Sequence, residues 1–300
     1  MDLRQLSYFL AIVEEGGFGR AAERLLVAQP SLSQSIATLE RELGVKLFHR
    51  VGRGVVLSDA GAELVGPARR VLRDLDAARA AVRSTRELQQ GTVHISAMPS
   101  PGIEPLTSII AAFTREHPAI VLRVGGAFGP DDVIEAVQSG TAEIGLLGSA
   151  GPFRLAGMEL FALEDQPLVL ISPPNDDLPD LDSVRLADLP ALRLVVAQRG
   201  TLMRQLVDNA LAEGARAQIV VEVAHRTSFL PLVIAGVAHA VMPSSWTPFA
   251  ERSGMRVRQI EPRIHLHISL LHRAGDLTPA AAAFLATARS TARPRAVEEA

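Results

Sequence analysis

Apolar positions recur at helical spacing through the first ninety residues, and beyond them the pattern changes to short β-branched runs. Leu3, Leu6, Phe9, Leu10 and Val13 mark the buried side of a first helix over residues 3 to 14, which Gly16 and Gly17 end. Ala21, Ala22, Leu25 and Leu26 give a short second helix a face that another helix can approach closely, and Val27-Ala28-Gln29-Pro30 interrupts it. Proline suits the first turn of the next helix, because its φ is already helical and its missing N–H is not needed there. From Pro30 or Ser31, apolar residues return at Leu32, Ile36, Leu39 and Leu43, and Gly44 closes the helix. Residues 45–50 and 55–58 then flank a Val51-Gly52-Arg53-Gly54 tip, the pattern of a two-stranded wing.

From Ser58 or Asp59 a long helix is predicted to about Gln89, roughly 45 Å at the α-helical rise. Ala68, Val71, Leu75, Ala78, Val82 and Thr85 form a narrow seam along it, and Pro67 predicts a kink. Two partners suit such a seam: the same helix of a second subunit, or the chain's own body.

Past Gly91 the predicted strands are 92–97, 120–124, 144–147, 168–172, 194–197, 219–223 and 266–271. Amphipathic stretches at 103–116, 132–138, 201–213, 229–235 and 279–287 separate many of them. That alternation predicts parallel α/β sheets in two tandem units. The expected organisation is multidomain: a mainly α winged helix-turn-helix head (1–58), a linker or dimerisation helix (59–90), and a two-lobed α/β body (91–292) before a tail (293–300). Lobe I takes about 92–162 plus 266–292, and lobe II about 163–265.

Charge changes the picture because it is uneven. The whole chain carries −3, whereas residues 1 to 90 hold thirteen basic and eleven acidic side chains, so a weakly basic end is joined to an acidic body. With no cysteine, disulfides, thiol nucleophiles and Cys-based zinc sites are excluded. The first residues open an amphipathic helix instead of a signal peptide, and no apolar run reaches spanning length, so the expected location is the cytoplasm, with no membrane partner.

Ser31, Ser33, Gln34, Ser35, Thr38 and Arg41 fall on the outward face of the third helix. Short hydrogen-bonding side chains near a helix N-terminus can approach phosphates and base edges; a serine-rich solvated face is the alternative. Lys46, Arg50 and Arg53 place positive charge on the wing, where a phosphate backbone would pass.

These residues carry a specific resemblance. Leu3-Arg4-Gln5-Leu6, Gly17-Phe18, Ala21-Ala22-Glu23-Arg24-Leu25, Gln29-Pro30-Ser31-Leu32-Ser33, Leu43-Gly44, Leu47-Phe48 and Leu57-Ser58-Asp59-Ala60-Gly61 resemble the N-terminal domain of LysR-type transcriptional regulators. The match covers residues 1 to 58 almost without gaps and continues more loosely to the C-terminus. It adds Gln29 and Pro30 to the DNA-facing set. It also implies a type 2 periplasmic-binding-protein-like body with a ligand cleft between its lobes. The implied partners are double-stranded promoter DNA, a second or further copies of the chain in a homodimer or homotetramer, a small-molecule effector, and RNA polymerase. Gly19 stands where the family often has Ser or Thr, and Gln34 where it often has Arg, implying one lost phosphate contact and an altered base preference.

In α/β lobes, ligands gather where strand ends meet helix N-termini. The loops there supply Ser100, Pro101, Gly126, Phe128 and Gly148 from lobe I, and Gln198, Gly200, Thr201, His225, Thr227 and Pro243 from lobe II. Ser100, Thr201 and Thr227 are each read as opening a helix, where they fit both a ligand carboxylate and plain capping; they rank ahead of Arg199, His225 and Arg226, which would neutralise an anionic effector. Glu164-Asp165 and Asp176-Asp177 read as solvated loop charges. Nucleotide-binding, metalloprotease and nucleophile-elbow motifs are missing, and His265, His267 and His272 lack an obvious further metal ligand. No catalytic residue, metal or cofactor is therefore expected. A solute-binding module and an enzyme are the competing classes; the first leaves the N-terminal 58 residues unexplained, and the second lacks site chemistry.

Overall fold

The computed structural model describes residues 1–51, 54–83, 91–151, 154–179, 181–189, 192–212, 216–275 and 277–292. The head opens with α1 (Leu3–Glu15), started by a reciprocal cap in which Asp2 Oδ1 accepts from Gln5 N and Gln5 Oε1 accepts from Asp2 N, both at 2.7 Å. α2 (Phe18–Leu25) and α3 (Gln29–Leu43) follow, then β1 (Phe48–Val51) and β2 (Gly54–Leu57), paired antiparallel. Phe9, Ile12, Ala21, Leu32, Ile36, Leu39 and Leu47 form its core. Three residues assigned to buried faces lie outside: Leu3 is 41% exposed, Leu43 38%, and Leu26 93%. Leu26 has left the helix altogether. It ends α2 in the left-handed region at φ 55°, where its N–H reaches back to Ala22 and Glu23 carbonyls.

α4 (Asp59–Arg83) starts at Ser58, whose Oγ accepts from Gly61 N at 2.9 Å. Gly61 is the closest approach of this helix to the wing: a Cβ there would lie 2.2 Å from Leu47 O. The helix runs on through Pro67. Ala68, first of the expected seam, is buried in the head's own core; of the later seam residues whose side chains are described, Val71 is 42% exposed and Leu75 is partly exposed. The side chains of Ala78 and Val82, and all of residues 84–90 with Thr85, lie outside the described residues.

The body continues with β3 (Gly91–Ala97), α5 (Pro99–Ile103), α6 (Leu106–Glu116), β4 (Ile120–Gly126), α7 (Pro130–Gln138) and β5 (Ile144–Ser149). Next come β6 (Met158–Ser172), β7 (Ser183–Arg185), β8 (Leu192–Ala197), α8 (Leu202–Ala212), β9 (Ala217–Val223), α9 (Phe229–Ile234) and β10 (His239–Pro243). α10 (Thr247–Arg252), β11 (Arg256–Glu261), β12 (His265–Arg273) and α11 (Pro279–Thr291) complete it. The strand order is β4-β3-β5-β12-β6-β10-β8-β9, with β11 on β6 and β7 on β11. The sheet is mixed, not parallel: β12 runs antiparallel to β5 and β6, and β10 and β11 antiparallel to β6.

β6 is far longer than the five residues expected of it. Its first part, to Pro167, pairs with β12, and Leu168 to Ser172 pair with β10 and β11, so one strand joins both lobes. The polar stretch before Leu168 reads as a loop only because its partners are distant in sequence. Asp165 Oδ1 meets His267 Nδ1 at 2.7 Å, and Gln166 Nε2 donates to Glu104 O at 2.8 Å and Glu164 Oε1 at 2.7 Å. Asp176 is likewise not solvated. It takes a bidentate pair from Arg258 at 2.9 and 3.0 Å, and both side chains are 2% exposed.

Candidate nucleic-acid interface and inter-lobe cleft

α3 exposes Gln29, Pro30, Ser31, Gln34 and Arg41 to solvent, and Ser33, Ser35 and Thr38 in part. No side chain caps this helix: Ala28 precedes it, Pro30 occupies its first turn, and the carbonyl of Ala28 accepts from Ser31 and Leu32. Its positive end therefore faces solvent beside a row of hydroxyls and amides, the arrangement that holds a phosphate. Thr38 is partly committed to its own helix, donating to Gln34 O at 3.0 Å.

The wing residues differ in what they do. Lys46 reaches Glu40 Oε2 at 2.6 Å while 71% of its side chain stays exposed, so it is an anchor as well as a surface charge. Glu40, which pattern reading placed on no face of interest, also accepts from Leu47 N at 2.9 Å and Phe48 N at 3.4 Å, tying α3 to the wing. Burial opposes the charge on Glu40, but Lys46 and those two N–H groups outweigh it and hold the carboxyl below its ordinary 4.5. Arg50 lies in β1, but its side chain, like the whole of Arg53, lies outside the described residues.

In the body, residues that follow β3, β4, β8 and β9 meet across the lobes. Leu202, at the start of α8, packs on an apolar cluster of Met98, Ala127, Val133, Val137, Leu147 and Leu271 from lobe I. Arg226, after β9, donates from Nη1 to Ser100 Oγ at 3.0 Å, across the two lobes. Ser100 is 2% exposed and Pro101 is buried with it; both lie inside α5, so Ser100 does not open that helix. Thr201 does act as a cap: its hydroxyl accepts from Arg204 N at 3.3 Å and donates to Gln198 O at 2.8 Å. Thr227 sits within a short 3-10 turn, exposed, as are Gln198, Gly200, His225 and Gly126. Phe128 is 74% exposed, beyond the packed part of the cleft. Gly148 is buried under Leu266, whose Cδ1 would lie 2.7 Å from an added Cβ. Pro243 is buried and leads into Ser245 and Trp246, whose hydroxyl and indole N–H are buried without a hydrogen-bond partner among the described residues.

Arg226, which the sequence places behind Ser100, Thr201 and Thr227, is the residue whose side chain reaches Ser100 in the opposite lobe. Its guanidinium is pushed down to about 10 by burial alone, and Ser100 is a neutral partner. Its signal in the sequence was faint, since a cation on a loop between His225 and Thr227 looks like surface charge until the opposite lobe is in place. Among the described residues no group of His, Asp or Glu could hold a metal ion.

The model of the LysR substrate binding domain matches residues 86–293, and that of the bacterial regulatory helix-turn-helix protein, lysR family, matches residues 3–62. The HTH-type transcriptional regulator IlvR of Caulobacter vibrioides is 30% identical over 283 residues, 93% of this chain and 94% of that protein. The uncharacterized HTH-type transcriptional regulator YfeR of Shigella flexneri is 30% identical over 277 residues, covering 91% and 88%. Among solved structures, a full-length OxyR variant from Pseudomonas aeruginosa superposes with a TM-score of 0.79 at 24% identity, covering 100% of this chain and 99% of that one. Full-length CbnR complexed with its target DNA gives 0.71 at 25% identity, covering 97% and 100%.

Proposed function

The chain belongs to the LysR family of transcriptional regulators, and from that premise we propose how its two halves work: α3 reads promoter DNA, and an anionic effector held between the lobes sets the spacing of paired heads. It is a DNA-binding, effector-binding oligomer and not an enzyme. The observation that carries the anionic reading is Arg226, a partly buried cation whose hydrogen-bond partner across the cleft, among the described residues, is the hydroxyl of Ser100. A carboxylate entering there gains a charge-assisted bond that the neutral hydroxyl cannot match. The Ser245 hydroxyl and Trp246 N–H, in the turn packed against α5 and without a partner among the described residues, are further donors. Ser100, Pro101 and Gly148 form the lobe I side; Gln198, Gly200, Thr201, His225, Thr227 and Pro243 the lobe II side, with Gly126 and Phe128 at the mouth.

In the head, Gln29, Pro30, Ser31, Ser33, Gln34, Ser35 and Thr38 meet the major groove, while Arg41, Lys46, Arg50 and Arg53 follow the backbone. Pairing of heads is supported by the exposed Val71 on α4 and by the open sheet edges at β4, with Val121 and Val124 exposed, and at β9, with Ile219 exposed. The division into 1–58, 59–90 and 91–292 follows these roles. The protein acts in the cytoplasm, where the DNA-bound oligomer meets RNA polymerase; among the described residues no helix is long and apolar enough to cross a membrane.

The test is a titration with the duplex lying upstream of its own coding region, at two salt concentrations. Saturable binding that weakens with salt is expected. Arg53→Ala should weaken specific and random duplex alike and lower the salt slope by about 1, whereas Gln34→Ala should change sequence preference. Equal losses from both variants on both duplexes would remove the division into backbone and base readers.

A further inference from the structure

α7 lies between the cleft and the linker helix. It begins just after the Ala127 and Phe128 loop, where Asp132 Oδ2 accepts from Phe128 N at 2.8 Å and Gly129 N at 3.0 Å. Its buried residues Val133 and Val137 share one apolar cluster with Met98 and Ala127 at the cleft and with Ala142 beyond its far end, and Leu202 of lobe II packs on that same cluster. Nine residues of helix span about 13 Å. Gly145 of β5 lets α7 sit directly on the sheet, since a Cβ there would lie 2.5 Å from Val133 Cγ1 and 2.7 Å from Leu271 Cδ2. α7 is thus fixed to lobe I, and a close-packed interior passes a shift at one end to the other.

At the far end the turn after α7 touches the linker helix. Arg69 Nη1 donates to Thr141 Oγ1 at 2.8 Å, Arg70 Nη1 donates to Gln138 O at 3.4 Å, and a Cβ on Gly66 would lie 3.3 Å from Ser139 O. Two guanidinium groups therefore meet the carboxyl end of α7, the negative end of its dipole. Arg69 also faces the head: its Nη2 lies 3.8 Å from Glu14 Oε1 at the end of α1. One side chain on the linker helix is shared by the DNA-binding head and lobe I.

Building on the reading of an effector-controlled regulator, we propose that the 138–141 turn and Arg69 and Arg70 form the coupling contact through which lobe I holds the linker helix and head. Closure of lobe II on the Met98 and Ala127 end moves lobe I and α7 as one piece, and the head feels that movement where Arg69 grips both Thr141 and Glu14. Arg69 and Arg70 are positioning residues; neither need touch DNA or effector for the contact to act.

Because the chain has no cysteine, the contact can be locked without background thiols. The double variant Gly66→Cys with Ser139→Cys, in the full chain, should form a disulfide on oxidation, detected by mass spectrometry after alkylation. Binding and bending of the upstream duplex are then compared between its oxidised and reduced forms. Locking should change DNA affinity or bend angle, on the order of 5-fold in the dissociation constant. Arg69→Ala with Arg70→Ala should displace the same quantity in the opposite direction, with the thermal unfolding midpoint little changed. Failure of the disulfide to form, or formation with identical DNA binding in both states, overturns the coupling while leaving the regulator reading intact. Loss of salt-sensitive DNA binding in the unmodified chain overturns the regulator reading and this inference with it.

Discussion

Two of the arginines of lobe II, the buried Arg258 and the partly buried Arg226, stand in opposite circumstances. At its outer end, Arg258 gives two bonds to Asp176, one to Ser172 Oγ at 3.1 Å and one from Nε to Pro179 O at 3.0 Å, and it is 2% exposed. At the cleft, Arg226 meets a neutral hydroxyl. A buried charge is tolerated when its partners replace water. Arg258 has a full set and is structural; Arg226 has no counter-charge among the described residues and suits a ligand that brings one. The same residue type acts as a fastener in one place and a receptor in the other, and the carboxylate decides which.

The comparison breaks most severely if Arg258 is made to resemble Arg226. Asp176→Ala should cost about 3–5 kcal/mol, because an uncompensated charge is left inside; urea unfolding monitored by circular dichroism measures it. The reverse conversion supplies Arg226 with its missing partner. Ser100→Asp should stabilise the body by about 1 kcal/mol through a charge-assisted bond and abolish the stabilisation by added carboxylates such as benzoate or succinate. Thermal shift against a panel of such acids reads both effects. Arg226→Met should leave stability within about 1 kcal/mol of the parent, since it removes a desolvated charge along with one hydrogen bond, and it too should lose the carboxylate response. A large destabilisation from that change would make Arg226 a second fastener.

Acid provides the finest distinction. His239 is held below its ordinary 6.5 by burial and by Arg258, against the pull of Asp176. Its Nδ1 lies 3.0 Å from Ser172 Oγ. Because its folded pKa is depressed, its contribution is present above 6.5 and declines as pH falls from there toward the folded value. Asp176, depressed from 3.8 by Arg258 and Leu178 N against burial, and Glu40, depressed from 4.5, lose theirs only at lower pH. Lobe II should therefore weaken before the head on acidification, which hydrogen exchange at pH 5.5 compared with pH 7.5 resolves.

Local patterns made the head legible in sequence, since Leu32, Ile36 and Leu39 point where helical spacing puts them and Gly44 stops the helix at φ 73°. Leu26 misled because apolar character suggests burial, whereas its backbone conformation turns it outward. The body was legible in its parallel strands and much less so where strands run antiparallel through polar sequence. Gln166 and Pro167 look like loop residues until β12 and Glu104 come alongside. The cleft loops could be named from strand ends, but Arg226 needed the opposite lobe, as Asp176 needed Arg258 from 82 residues away.

Gly61 carries a consequence for genetics. With Leu47 O only 2.2 Å from where a Cβ would stand, even alanine must push the linker helix off the wing. A saturation screen for loss of regulation would return this codon beside those of the recognition helix, and it would pass for a DNA contact although it reports only on how closely two backbones are allowed to lie.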